Sequence, residues 1–406
     1  AMDDGALPRE AGFAARGDGS FTAAPVERAR ALGPAIAAAA DTVEAPRRIP
    51  PELATALHAA GMFRISLPRA YGGEEATPTA YLLAMEEVAR HDASVAWNIF
   101  VGNSAALLAA FLPPDSARAI WADPRAVVAW GPPTGPVCRA VPGGYVVSGR
   151  WDFASGCRLA TWMGAHCTVQ EPDGSLRMSQ VTGRPHIRSL LFPAERARLL
   201  DTWHTIGLRG TASDSYEVEE VFVPEEFTST REDPRARLVP GPLYAFTQQG
   251  LYAVGVAGVA LGTARAMLEG FMDLAMAKVP RGLARMADDP LVADGVARTE
   301  ARIGAARAWL AEILDAIYAG AGSDAPISVA DRARVRLGCA HAIEEAVNAA
   351  DWVYRAAGTD AIFPGRGPFE RRFRDIHTVS QQIQSRRSHF AAAGAVMLGN
   401  APETFL

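Results

Sequence analysis

The stretch GGYVVSGRWDFASG, residues 143–156, organises the reading of this 406-residue chain. Gly143-Gly144 is a hairpin signal, and Tyr145-Val146-Val147 after it is a short β-rich run. A second run, 151–153, sets large rings on either side of Asp152 and stops at Ala154-Ser155-Gly156. A hydroxyl at a strand end beside glycine is a place where a planar ring can approach the backbone closely. The same residues also read as an ordinary edge hairpin with a buried tryptophan, and the stretch alone leaves both readings open.

Composition sets the surroundings. With 49% hydrophobic and 21% charged residues, the chain is expected to be a soluble globular protein of two or three domains. A formal net charge of −5 gives no reason to expect nucleic acid or an anionic membrane as a partner. Cys138, Cys157, Cys167 and Cys339 show no metal-type spacing, and a reducing cytoplasm is the simplest home for them. Residues 1–24 read as a disordered leader. The longest nearly apolar run, 251–262, is too short and glycine-rich to span a bilayer.

Moving outward from the central stretch, residues 25–125 carry helical periodicity. Thr77-Pro78 predicts an N-cap and first helical position for a helix over 79–90, with Glu86-Glu87 on its outer side. Residues 94–111 are apolar nearly all round, which predicts a buried helix whose Trp97, Asn98, Asn103 and Ser104 must find partners. Over 126–230 the signals become short β runs at 127–130, 145–147, 151–153, 162–169, 187–191 and 216–223. From 231 to 406, helical segments at 242–279, 290–319, 327–357 and 369–398 predict an antiparallel four-helix bundle. The expected class is therefore α+β, mainly α: a helical domain, a β middle and a helical bundle.

In that order the residues resemble a known family. LPRAYGG at 67–73 followed by EEVARHDAS at 86–94, WDFASG at 151–156, IGLRGTAS at 206–213 and RRFRDIH at 371–377 are similar to landmarks of the acyl-CoA dehydrogenase superfamily. The resemblance implies a β-barrel-like middle domain and a homotetramer with flavin at a subunit interface. Dehydrogenases of the superfamily use a glutamate to remove a proton α to a thioester. Residues 376–388 contain no carboxylate, and neither do residues 246–258, so that base is missing from both usual places.

The pattern Trp151, Phe153, Ser155, Gly156 resembles instead the flavin-dependent monooxygenases of two-component systems, which include phenolic-acid hydroxylases, thiophene S-oxygenases and amino-sugar N-oxygenases. The resemblance implies reduced FMN or FAD supplied by a separate reductase, O2 as co-substrate, and oxygen transfer through a C4a-hydroperoxyflavin to a small aromatic, heteroaromatic or amine substrate. It places Ser155 near N5 of the ring, where the competing reading is a hydroxyl that satisfies a turn. No GxGxxG fingerprint follows a strand, which fits a separate reductase.

The remaining candidates follow from the same resemblance. Phe153 and the strand end Trp130-Gly131-Pro132 are flavin-contact candidates; the alternative for the latter is a plain strand terminus. Arg281, Gly358 and Thr359 correspond to phosphate-binding positions reached from a neighbouring subunit, against the reading of solvated loop residues. Relatives carry histidines near Asn103 or Ser104 and near Gln382. His377 lies five residues before Gln382, about 140° round a helix at ~100° per residue, and is either a site histidine or a structural partner of Asp351 or Asp375. With amides at both positions the pocket would lack a base near neutral pH, favouring a nucleophilic N or S or an electron-rich ring such as indole over a phenol. Tyr244, Phe246 and Tyr252 are expected to pack the bundle core and His204 to be a satisfied loop residue. The alternatives to a monooxygenase are a thioester dehydrogenase or oxidase and a non-catalytic flavin-binding relative.

Overall fold

The computed structural model describes residues 21, 23–230, 233–322, 324–402 and 406; most of the expected leader lies outside the described residues. Among the described residues, ten α-helices and eight β-strands follow one another as helices, sheet, helices. The first group is α1 (Pro25–Glu44), α2 (Pro51–Ala59), α3 (Pro78–His91), α4 (Ala93–Ala106) and α5 (Pro114–Trp121). Thr77 caps α3 as its residue type demands, accepting the Ala80 N–H at 3.1 Å. Asp92 ends α3 and caps α4, accepting from Val95 N–H at 2.9 Å.

Glu86 and Glu87 do not face solvent as their sequence suggests. Both are buried. Glu86 takes two hydrogen bonds from Arg307 Nε, at 2.6 and 2.9 Å. A later helix covers this face of α3 and supplies the cation, which the local helical period cannot reveal.

The middle is a mixed sheet of eight strands, ordered β6-β7-β3-β2-β4-β5-β8 with β1 beside β4. The strands are β1 (Val128–Trp130), β2 (Val137–Val141), β3 (Gly144–Ala154), β4 (Trp162–Gln170), β5 (Ile187–Pro193), β6 (Arg198–Leu200), β7 (Asp214–Pro224) and β8 (Thr228–Thr230). The two runs expected at 145–147 and 151–153 are one strand, β3, and it is central, between β2 and β7. The hairpin to β2 turns at Gly143, whose φ of 80° is open to glycine at no cost. Trp151 is fully buried, stacked on Tyr216 at 5.4 Å, with its Nε1–H donating to the His166 carbonyl at 3.0 Å.

The last group is α6 (Gln248–Ala277), α7 (Pro290–Gly320), α8 (Val329–Ala357), α9 (Phe369–Val379) and α10 (Ser388–Met397). The segment expected as one helix over 369–398 is thus two, separated by a 3-10 turn at Ile383–Ser385. Gln382 lies in that break and not on a helix, so its angular relation to His377 does not apply. One continuous apolar core joins α1–α4 with the bundle helices, while a second fills the sheet. Residues 93–111 and α6 are each long and apolar enough to cross a membrane, and each is 89% buried in this fold, which accounts for their apolarity.

Candidate active site around Ser155

β3 ends in an irregularity. Its ladder with β7 slips between Trp151 and Ala154, and a bulge of this kind re-aims the side chains beside it. Phe153 there has φ 62°, left-handed for a bulky residue, and its ring is 59% exposed. The chain then turns tightly, with Ser155 N–H donating to the Phe153 carbonyl at 2.9 Å. This directs the Ser155 side chain inward toward α4.

There Ser155 meets three other segments. The Trp97 Nε1–H of α4 donates to Ser155 Oγ at 3.1 Å. Ser155 Oγ lies 2.5 Å from Ser213 Oγ, and Ser213 Oγ lies 2.7 Å from Thr211 Oγ1. Thr211 Oγ1–H donates to the Leu208 carbonyl at 2.8 Å, which also accepts Trp203 Nε1–H at 2.8 Å. Trp97, Ser155, Thr211 and Ser213 are all buried.

The loop carrying Thr211 is itself strained and tied down. Leu208 and Ala212, with φ of 49° and 41°, bracket the 3-10 turn Arg209–Thr211. Non-glycine residues persist in this region only where the surroundings over-determine them. Here Asn98 Nδ2–H donates to the Gly210 carbonyl at 3.1 Å, and Gly156 N–H to the Thr211 carbonyl at 3.1 Å. From α9, Asp375 Oδ1 accepts the Leu208 N–H at 2.7 Å. Burial pushes the Asp375 carboxyl up to about 7, and the nearby Asp92 charge adds to the effect.

The hydroxyl chain runs into a backbone carbonyl and reaches no histidine or carboxylate, so Ser155 has no base to make it a nucleophile. Beside it the exposed Phe153 ring stands edge-on to Trp203 at 6.3 Å, and Ile206 is 62% exposed. An apolar surface with one buried hydroxyl at its edge suits a planar ring that carries a polar nitrogen. Gly131 sits against the same strand: a Cβ there would lie 2.3 Å from the Asp152 carbonyl oxygen, so β1 ends in close contact with β3. Pro132 after it is exposed, and Trp130 is half-buried.

Several sequence candidates lie elsewhere. Asn103 is fully buried and its amide is spent: Oδ1 accepts Ser66 N–H at 2.9 Å, and Nδ2 donates to the Met62 and Ile99 carbonyls at 2.7 and 2.9 Å. His377 Nε2 is 2.8 Å from Asp351 Oδ1, and its ring rests on Phe373. Gln382 Oε1 accepts Gln384 N–H at 2.6 Å, capping the 3-10 turn. None of the three touches the Ser155 chain. Arg281, Gly358 and Thr359 are exposed. The Lys278 Nζ to Asp360 Oδ2 ion pair, at 2.6 Å, ties the Arg281 loop to the turn that contains Gly358 and Thr359. Tyr244 and Phe246 are buried, with Tyr244 Oη–H donating to the Ser66 carbonyl at 3.1 Å. Half-buried Tyr252 packs edge-on to Phe100 at 4.9 Å, and His204 stands exposed, 3.6 Å from Asp201.

Nothing local in the sequence marks Trp97, Thr211, Ser213 and Leu208 as members of one hydrogen-bonded chain. A signal was present for Trp97, a polar ring in an otherwise apolar helix, but its partner lies 58 residues away.

Helices, central sheet and bundle around this site define a protein of the acyl-CoA dehydrogenase superfamily. Residues 28–112 match the family description "Acyl-CoA dehydrogenase, N-terminal domain", and residues 254–386 match "Acyl-CoA dehydrogenase, C-terminal domain". The chain is 30% identical over 401 residues to an indole-3-acetate monooxygenase of Pseudomonas putida, covering 94% of this chain and 97% of that protein. It is also 30% identical to the oxygenase component of an FADH2-dependent resorcinol hydroxylase from Rhizobium sp., covering 89% and 90%. The fold matches that of XiaF from Streptomyces sp., solved with FADH2 and glycerol, with a TM-score of 0.85 at 24% identity over 94% and 96% of the two chains. The chain belongs to the flavin-dependent monooxygenases of this superfamily.

Proposed function

We propose that the chain is the oxygenase component of a two-component system, taking reduced FMN or FAD from a separate reductase and using O2 to oxygenate an electron-rich aromatic or heteroaromatic ring such as indole. The observation that carries this is the Ser155 environment: a buried hydroxyl bonded to Trp97 and Ser213 with no base in its chain, in the turn that follows the exposed Phe153. When bound, reduced flavin supplies two electrons and activates O2. The chain's own residues then have limited tasks. Ser155 would hold the ring at its nitrogen N5, while Phe153 and the strand end Trp130-Gly131-Pro132 would flank the ring and keep water off it.

Arg281, Gly358 and Thr359 would reach the flavin phosphate of a neighbouring subunit, which makes a homotetramer the working assembly. His377 and Gln382 support the segments that close the pocket through their bonds to Asp351 and Gln384. Asn103 does the same from α4, having no amide hydrogen left for a substrate. With no base in the Ser155 chain, a ring that is already nucleophilic is a better substrate than a phenol that must first lose its proton. All four cysteines are buried, unpaired thiols, which suits a reducing cytoplasm.

The thioester alternative has less support. Asp375 is the carboxylate nearest in sequence to the usual base position, and it is occupied with Leu208. Anaerobically reduced FMN or FAD, mixed with 18O2 and an indole, tests the reading. One labelled oxygen in the product is expected. Bleaching of oxidised flavin by an acyl-CoA, with no label incorporated from 18O2, would overturn it.

A further inference from the structure

The four-member chain through Ser155 has a direction, and that direction follows from its two ends. An indole N–H can only donate and a carbonyl can only accept. At the far end, Thr211 Oγ1 lies 2.8 Å from the Leu208 carbonyl oxygen, a distance at which two oxygens repel unless a proton lies between them. The Thr211 proton is therefore committed to Leu208. Thr211 can then only accept from Ser213, and Ser213, its proton spent, can only accept from Ser155. At the near end the Trp97 N–H fills one Ser155 lone pair. Ser155 is left with one lone pair and no proton to offer outward.

We infer that Thr211 and Ser213 are positioning residues that make Ser155 an obligate acceptor, and so select the redox state of the flavin. This rests on the flavin reading proposed above. Reduced flavin carries a hydrogen on N5 and is a donor there; oxidised flavin has only a lone pair and needs a donor. A hydroxyl held in this orientation matches the reduced form and sets two lone pairs against each other with the oxidised form. The device favours arrival of reduced flavin from the reductase and release of the oxidised product.

The chain is buried and closed, which keeps water from supplying the missing proton. Neither end titrates near neutral pH.

The test is anaerobic titration of the full-length chain with FMN and with chemically reduced FMN, together with the midpoint potential of the bound flavin. Wild type is expected to bind the reduced form at least ~10-fold more tightly. Ser213→Ala and Thr211→Val each free the chain to reverse. They should compress that ratio roughly 10-fold, lowering the midpoint potential by about 30 mV for a two-electron couple. Thr211→Ser restores the hydroxyl and should restore the ratio. Trp97→Phe leaves the Ser155 proton pointing at Ser213 and should keep the preference. Equal binding of both forms by wild type, or an unchanged ratio in folded Ser213→Ala and Thr211→Val, would refute the inference while leaving the flavin site standing. Binding of neither form by wild type would remove the flavin reading, and this inference with it.

Discussion

Asp375 and Leu208 meet across 167 residues of chain, the Leu208 N–H donating to the carboxylate at 2.7 Å. The same Leu208 supplies the carbonyl that ends the Ser155 hydroxyl chain. The bundle therefore helps to position the Ser155 hydroxyl through one backbone residue held at φ 49°.

That contact predicts a pH dependence. Burial raises the Asp375 carboxyl to about 7, against about 4 in the unfolded chain. Between those values the folded state keeps a proton that the unfolded state has lost, so stability falls as pH rises through this window. Asp375→Asn keeps an acceptor for Leu208 and removes the titration. Relative to wild type, the variant is expected to gain on the order of 2–3 kcal/mol between about pH 5 and about pH 8. Denaturant midpoints at the two pH values measure this, and a constant difference would show that the carboxyl is not perturbed.

Ser155→Ala removes the proposed contact with N5. Reduced flavin should bind roughly 2- to 10-fold more weakly, as expected for one neutral hydrogen bond. A larger fraction of the O2 consumed should emerge as hydrogen peroxide. Unchanged affinity and unchanged coupling would return Ser155 to the role of a turn hydroxyl.

Asn103→Ala should act on stability and not on chemistry. It leaves the buried Ser66 N–H without an acceptor and deletes two donor bonds, a loss of about 2–4 kcal/mol. Thermal unfolding and turnover per folded molecule separate the two effects. A stable variant with lost turnover would place Asn103 in the catalytic pocket after all.

Gly131→Ala tests the close approach of β1 and β3. Its Cβ would lie 2.3 Å from the Asp152 carbonyl oxygen and 2.9 Å from Trp151 Cβ, and neither is the tip of a flexible side chain. The strands must separate, costing about 1–3 kcal/mol and moving the Phe153 bulge. Both melting temperature and flavin affinity are expected to fall; wild-type values for both would mean that the strand end has room.

Arg281→Ala should weaken flavin binding roughly 10-fold, through loss of a charge-assisted contact to phosphate. It should leave the ratio of reduced to oxidised affinity intact if that ratio is set at Ser155, as proposed above. An unaltered affinity would make Arg281 a solvated loop residue.

How far the sequence can be read is clear from particular residues. Thr77-Pro78 announced α3, and the all-round apolarity of 94–111 announced a buried helix, because caps and periodicity are local properties. Gly143 marked the β2–β3 hairpin for the same reason. Glu86 failed that reading because the cation that buries it, Arg307, lies 221 residues away. Residues 369–398 looked like one helix, since no proline or glycine marks the break at Gln382.

By itself, the sequence determined the order of helices, sheet and helices, the strand end just before Ser155, and the lack of a carboxylate over 376–388. Tertiary structure alone decided that Trp97, Thr211 and Ser213 converge on that hydroxyl, that Leu208 closes the chain, and that Asn103 is spent elsewhere. The division has a physical cause. Backbone propensity and turn chemistry act over a few residues, whereas the direction of a hydrogen-bond chain depends on which donors and acceptors packing brings within 3 Å, from segments that local pattern cannot pair.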